Sequence, residues 1–243
     1  MRQGLRGLGV LTLATLAVGG LAGCGLVLGE TTEDTSTLSG KITSVRIENK
    51  SGGITVNGTE GGGKLSLKRK VTYRDERPTG ATHRIENGVL ILGGCGSGCS
   101  VNYTVDVPAG IPVSGQVTNG SIHLSKVGAV KVTTGSGRIE MDGVTGTVEA
   151  ENTNGRITGK NIDGPSIRAR STNGKITLTS AKAADVQAST TNGDITLTVP
   201  KGDYDVTAST VNGDRTIDVS NSPSGTHRIG MRSTNGDVTV RNP

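Results

Sequence analysis

Between Ser171 and Val199 the chain writes "STNGKITLTS" and then, 19 positions later, "TTNGDITLTV". Asn-Gly is a strong turn former, and "KITLT" and "DITLT" alternate apolar and polar residues as half-buried strands do. Near-copies at this period mark one supersecondary unit stacked on itself. The turn glycines Gly120, Gly137, Gly155, Gly174, Gly193, Gly213 and Gly236 are separated by 17, 18, 19, 19, 20 and 23 residues. The unit therefore tolerates insertions away from the turn. Six residues before each turn asparagine position stand Val113, Val130, Val148, Ile167, Val186, Val206 and Ile229. After the turn come Ile122, Ile139, Ile157, Ile176, Ile195, Arg215 and Val238. The consensus is V-x-A-x-[ST]-T-N-G-x-I-x-L, two period-2 strands joined at a corner.

Two geometries satisfy that pattern. One is an array of β-hairpins with type I′ turns. The other, which the constancy of side-chain size within each column favours, is an all-β solenoid, a stack of coils of about 19 residues in which each column repeats every 4.8 Å or so. In the solenoid the asparagines at 119, 154, 173, 192, 212 and 235 form an inward amide ladder. The supply of side chains suits thin layers. The chain has 39 glycines and three tyrosines, with no Phe or Trp. Arg215 is the anomaly: a charge in the isoleucine column is costly to bury unless it is paired or the coil shifts register.

The start of the chain belongs to export. "MRQGLRGLG" carries Arg2 and Arg6, and "VLTLATLAVGGLA" is an apolar run too short to span a bilayer comfortably. "LAGC" then matches a lipoprotein box. Residues 1–23 are expected to be a signal peptide, and Cys24 the acylated anchor to the lipid bilayer. Residues 24–40, "CGLVLGETTEDTSTLSG", are expected to form a tether. Residues 41–110 are expected to be an irregular capping part of the repeat domain, and 111–243 the regular repeats. Losing Arg2 and Arg6 lowers the formal charge from +5 to about +3, a mild bias. With no aromatic platform for bases, nucleic acid is not an expected partner.

Cys95 and Cys99 in "GGCGSGCS" are too few for a closed zinc site and easily bridged across Gly96, Ser97 and Gly98, so a local disulfide is expected. The position after each Asn-Gly forms an outward column: Ser121, Arg138, Arg156, Lys175, Asp194, Asp214 and Asp237. Arg138, Arg156 and Lys175 are the candidate strip for an anionic ligand; a solvated turn is the plainer explanation. One Asp per coil does not gather the oxygens that calcium needs, and no metal or cofactor is expected. His83, His123 and His227 stand alone, and no catalytic residue is assigned. Arg168, Arg170 and Glu151 on one face near Arg156 leave a lyase-like arrangement as the remotest option. Lys64–Arg84 carries seven Lys/Arg against Asp75 and Glu76; it is either a solvated strand face or a contact to anionic membrane.

"VNYTVDVPAGIPV" followed by "TNGSIHL", then "LTVPKGDYDVTASTVNGD", together with the lipoprotein box, resembles a bacterial adhesin-like family of envelope proteins built of β-strand repeats. The carried motif is Val107-Pro108-Ala109-Gly110 and Val199-Pro200-Lys201-Gly202, each followed by Val and an Asn-Gly corner; the likeness spans most of residues 41–242. It implies a right-handed β-helix-like fold of the pectin-lyase type without catalytic residues, and an envelope location. The function this implies is adhesion or scaffolding, with wall polymer or an envelope protein as partner. The alternative is an envelope-stress sensor acting through a protein partner.

Overall fold

The computed structural model describes residues 29–61 and 63–243; the expected signal peptide and Cys24 lie outside them. The first strands are β1 (Glu30–Thr37), β2 (Ser44–Ser51), β3 (Ile54–Thr59), β4 (Ser66–Tyr73), β5 (His83–Glu86), β6 (Val89–Gly93) and β7 (Cys99–Pro108). The regular half supplies β8 (Val113–Asn119), β9 (Ile122–Ser125), β10 (Val130–Ser136), β11 (Ile139–Asp142), β12 (Val148–Asn154), β13 (Ile157–Ile162), β14 (Ser166–Asn173) and β15 (Ile176–Ser180). It ends with β16 (Asp185–Asn192), β17 (Ile195–Thr198), β18 (Tyr204–Ser209), β19 (Arg215–Asp218), β20 (His227–Asn235) and β21 (Val238–Arg241). They form one eleven-stranded and one ten-stranded sheet.

The two strands of each unit do not pair with each other. β8, β10, β12, β14 and β16 pair in parallel in the ten-stranded sheet, while β9, β11, β13, β15 and β17 do so in the other. The fold is the solenoid, not the hairpin array. The columns stack as the sequence spaces them: Val130 on Val148, Val148 on Ile167, Ile139 on Ile157, Ile157 on Ile176. The core lies between the sheets, with Ile122, Ile139, Ile157, Ile176, Ile195 and Val238 wholly buried. Where the leucine column has Gly159, the pairing shifts register and the Ile162 side chain fills the space.

Coil order departs from chain order at both ends. β20–β21, last in the sequence, lies between β16–β17 and β18–β19. Arg215 is therefore on the outermost strand of its sheet and exposed, so its column position costs no burial. The outermost strands at that end are thus β18 and β19, not the last strands of the chain. The Asn221 side chain covers part of the β18 edge, accepting from Val206 N at 2.8 Å. At the other end β2–β3 lies between β6–β7 and β8–β9. The supposedly irregular first third thus contains a coil in full register, Val45 on Val113 and Ile54 on Ile122.

Residues 30–37, expected within the tether, are strand β1, paired antiparallel with β4. Charge explains the pairing. Glu33 meets Lys68, and Asp34 Oδ2 accepts from Arg69 Nε at 2.7 Å. The Lys68 ammonium holds the Glu33 carboxyl below its ordinary range. Part of the basic stretch is thus neutralised within the protein.

The corners carry the closest packing. At Gly155, with φ +142°, a Cβ would collide with the carbonyl oxygen of Gly137 one coil away; Gly174 stands in the same relation to Gly155. Each such carbonyl finds a donor in a buried polar column that runs through the ten-stranded sheet. Thr134 Oγ1 donates to Gly120 O at 2.8 Å, Asn152 Nδ2 to Gly137 O at 2.6 Å, Thr190 Oγ1 to Gly174 O at 3.1 Å and Ser233 Oγ to Gly193 O at 2.9 Å. Each bond is worth about 1 kcal/mol net. The corner of the β6–β7 coil has no Asn-Gly; a Cys95–Cys99 disulfide, Cα to Cα 6.0 Å, closes it.

Tyr103 fills that end of the core, its hydroxyl 2.6 Å from Thr82 O and 2.9 Å from Gly93 O. Burial pushes its phenol up to about 12 from 10.0. The neutral phenol's contribution to stability is complete below pH 10 and is lost as pH rises from 10 towards 12. Unfolding midpoints measured across that window should fall, and fall less steeply in Tyr103→Phe.

Gly155→Ala should cost about 2–4 kcal/mol in chemical denaturation. Gly230→Ala, where a Cβ would meet nothing within 4 Å, should stay within about 0.5 kcal/mol of the parent. Equal effects would show that the corner contact is not what limits the stack.

Candidate functional site

The corner between the two sheets is one continuous edge, and three columns run along it. The asparagine column is hydrogen-bonded head to tail: Asn173 Nδ2 donates to Asn154 Oδ1 at 2.9 Å, Asn192 to Asn173 at 2.7 Å, Asn235 to Asn192 and Asn212 to Asn235 at 2.8 Å. These amides are exposed, not inward as expected. The corner bend begins at that residue and swings it to solvent.

The charge column follows. In stack order it runs Ser121, Arg138, Arg156, Lys175, Asp194, Asp237, Asp214. Its acidic half is engaged in the stack: Asp194 Oδ1 accepts from Asp237 N at 3.2 Å, and Asp237 Oδ1 from Asp214 N at 2.8 Å. Among the described residues no three His, Cys, Asp or Glu side chains gather as metal ligands. The basic half is open. Arg138 reaches Glu140 only at 3.6 Å and Lys175 reaches Asp194 only at 3.5 Å. Both side chains are more than half exposed, and such pairs contribute about 0–1 kcal/mol. Adjacent coils set the backbone positions of the three residues about 4.8 Å apart along the stack.

Beside this strip, on the outer face of the eleven-stranded sheet, lies a hollow of roughly 460 Å³ lined by Asn57, His123, Glu140, Asp142, Arg156 and Lys160 among others. His123 Nδ1 is 2.9 Å from Glu140 Oε2, so His123 does not stand alone. His123 and Glu140 face each other because β9 and β11 pair in register. The sequence carries that signal only once the columns are extended to the outward positions.

Arg168, Arg170 and Glu151 do share one face, but it is the face of the ten-stranded sheet, and Arg156 is across the corner from it. The expected four-residue cluster does not form. Instead Arg168 and Arg170 flank a hollow of roughly 320 Å³ with Arg232 and a floor at Gly230. Arg170 and Arg232 are both in register with Ser189. Arg170 reaches Glu151 at 3.6 Å, and Arg168 Nε donates to Gln187 Oε1 at 3.2 Å. A larger groove of roughly 660 Å³ adjoins it, lined in part by Lys131, Glu149, Arg168 and Arg228. The Lys131 ammonium, 2.9 Å from Glu149, holds that carboxyl below its ordinary range. Arg232 escaped the sequence reading, because only the interleaved coil order brings its strand beside β16.

Two largely parallel sheets, in-register columns and open, ion-lined surfaces define a β-solenoid of repeated coils. The chain belongs to the Toastrack DUF4097 family, which matches residues 112–241, more than half of its length. No curated protein matches it. Among solved structures, a candidate cell adhesion protein from Clostridium sporogenes is 12% identical with a TM-score of 0.40, the match covering 88% of this chain and 100% of that one. A candidate adhesin from Parabacteroides distasonis is 10% identical with a TM-score of 0.39, covering 87% and 97%. One from Bacteroides fragilis is 12% identical at 0.34, covering 88% and 97%.

Proposed function

We propose that the protein is an adhesive or scaffolding module of the cell envelope, held at the membrane by an acylated Cys24. On this reading the solenoid presents its cationic edge to an anionic envelope polymer. The observation that carries this is the in-register strip Arg138, Arg156 and Lys175, three cations on consecutive coils, of which Arg138 and Lys175 are more than half exposed beside single carboxylates at 3.6 and 3.5 Å. A repeating polyanion can meet such a row at every coil, so weak contacts add without a deep pocket. Two or three acyl chains on one cysteine anchor a protein stably where a single chain does not.

Sedimentation of the purified solenoid with isolated anionic wall polymer tests the strip. Binding should weaken with added salt as exposed charges are screened, and the triple variant Arg138→Gln, Arg156→Gln, Lys175→Gln should lose most of it. Unchanged binding by that variant would remove the strip from the interface. Cys24→Ala should abolish incorporation of labelled palmitate and shift the protein from the membrane to the soluble fraction. Retention in the membrane without label would sink the anchor.

A further inference from the structure

Eight Asn-Gly pairs occur in the chain, beginning at Asn57, Asn87, Asn119, Asn154, Asn173, Asn192, Asn212 and Asn235. In such a pair the glycine amide nitrogen can attack the asparagine Cγ, because no side chain on the glycine hinders the approach. The attack needs a nitrogen free of hydrogen bonds, and a side chain that can turn towards it once any bond of its own opens.

The stack denies this at five corners. Gly120 N donates to Ser136 O at 2.7 Å, Gly155 N to Asn173 O at 2.9 Å, and Gly174 N to Asn192 O at 2.8 Å. Gly193 N donates to Asn235 O and Gly236 N to Asn212 O, each at 2.8 Å. Every one of these bonds runs to the neighbouring coil. Asn57 and Gly58 lie inside β3, between β7 and β9, and Asn57 Nδ2 donates to Asp106 Oδ1 at 3.1 Å.

Two glycine nitrogens differ. Gly88 sits at the tip of the β5–β6 hairpin, where Asn87 is exposed with φ +50°. Gly213 is the corner of the outermost coil, which has no further coil to receive its N–H. Neither donates a backbone hydrogen bond among the described residues. Asn212 is also the ladder's end: its Nδ2 donates to Asn235, but among the described residues its Oδ1 accepts from no further amide.

We propose that Asn212 and Asn87 are sites of spontaneous intramolecular deamidation, and that the remaining six pairs are protected by the fold. At position 212, water takes the Gly213 amide proton as that nitrogen forms a bond to Asn212 Cγ. The Cγ–Nδ2 bond then breaks, the leaving nitrogen takes up a proton, and ammonia departs, leaving a succinimide. Water adds to either imide carbonyl and one ring C–N bond breaks, giving an aspartyl or isoaspartyl residue. No electrons are transferred. The chemistry at position 87 is the same.

The consequences differ between the two sites. At the hairpin tip no side-chain hydrogen bond is lost. At position 212 an oxygen replaces the donor facing Asn235 Oδ1, and a fourth carboxylate joins Asp194, Asp237 and Asp214 along the edge. The outer coil is weakened with time while the interior coils are unaffected.

Peptide mapping by mass spectrometry after incubation of the purified protein at neutral pH tests this. Conversion at Asn212 and Asn87 should be at least about tenfold faster than at the other six, because those require local opening first. Asn212→Gln should remove the reaction at that corner, and in the parent protein hydrogen exchange should rise with age over 204–218. Protein held unfolded should convert at all eight alike. Even conversion in the folded protein, conversion at Asn87 alone, or the same two-site preference in the unfolded chain would overturn the proposal.

Discussion

The structure depends on how closely one corner lies on the next. Where a side chain would begin on Gly155 or Gly174, the carbonyl oxygen of the corner below already stands. The coils can approach to hydrogen-bonding distance only because that atom is missing. The buried Thr, Ser and Asn column then supplies the carbonyls with donors that water cannot reach. Composition follows from this geometry. A chain rich in glycine and β-branched residues and poor in large rings builds layers thin enough to stack without voids.

The repeat, the two strands per coil and the order of the inward columns were legible in the sequence because identical residues stack on identical residues. A column of constant size is a record of contact. Coil order was not legible, since the spacing from Gly193 to Gly213 to Gly236 says how much chain each coil uses and nothing of which coil it touches. Arg215 was the one visible clue, as a charge in the isoleucine column is tolerated where the column ends. Strand β1 was hidden for another reason. "ETTEDTST" pairs on one side only, through acids that meet Lys68 and Arg69, and leaves no apolar period to find.

The outward surface was only partly legible. The row Arg138, Arg156 and Lys175 follows from the repeat alone. The meeting of Arg170 with Arg232 through Ser189 depends on the interleaved coil, and the separation of Arg156 from Arg168 depends on which side of the corner each residue falls. By strict alternation the turn asparagines share the parity of the buried valines. The bend at the corner breaks that parity, and the amides line the edge instead of the core.

The interleaving at both ends bears on how the molecule responds to mechanical load. A pull on the C-terminus acts on β20–β21, a layer gripped in register on both sides, so two ladders must shear together before it slips out. The β2–β3 layer is clamped in the same manner, but β1, which precedes it, is an edge strand held by β4 alone. A solenoid whose outermost turn was also its C-terminal one would peel from that end one turn at a time under tension. At its C-terminal end this one resists as a sandwich does when the filling, not the crust, is tugged.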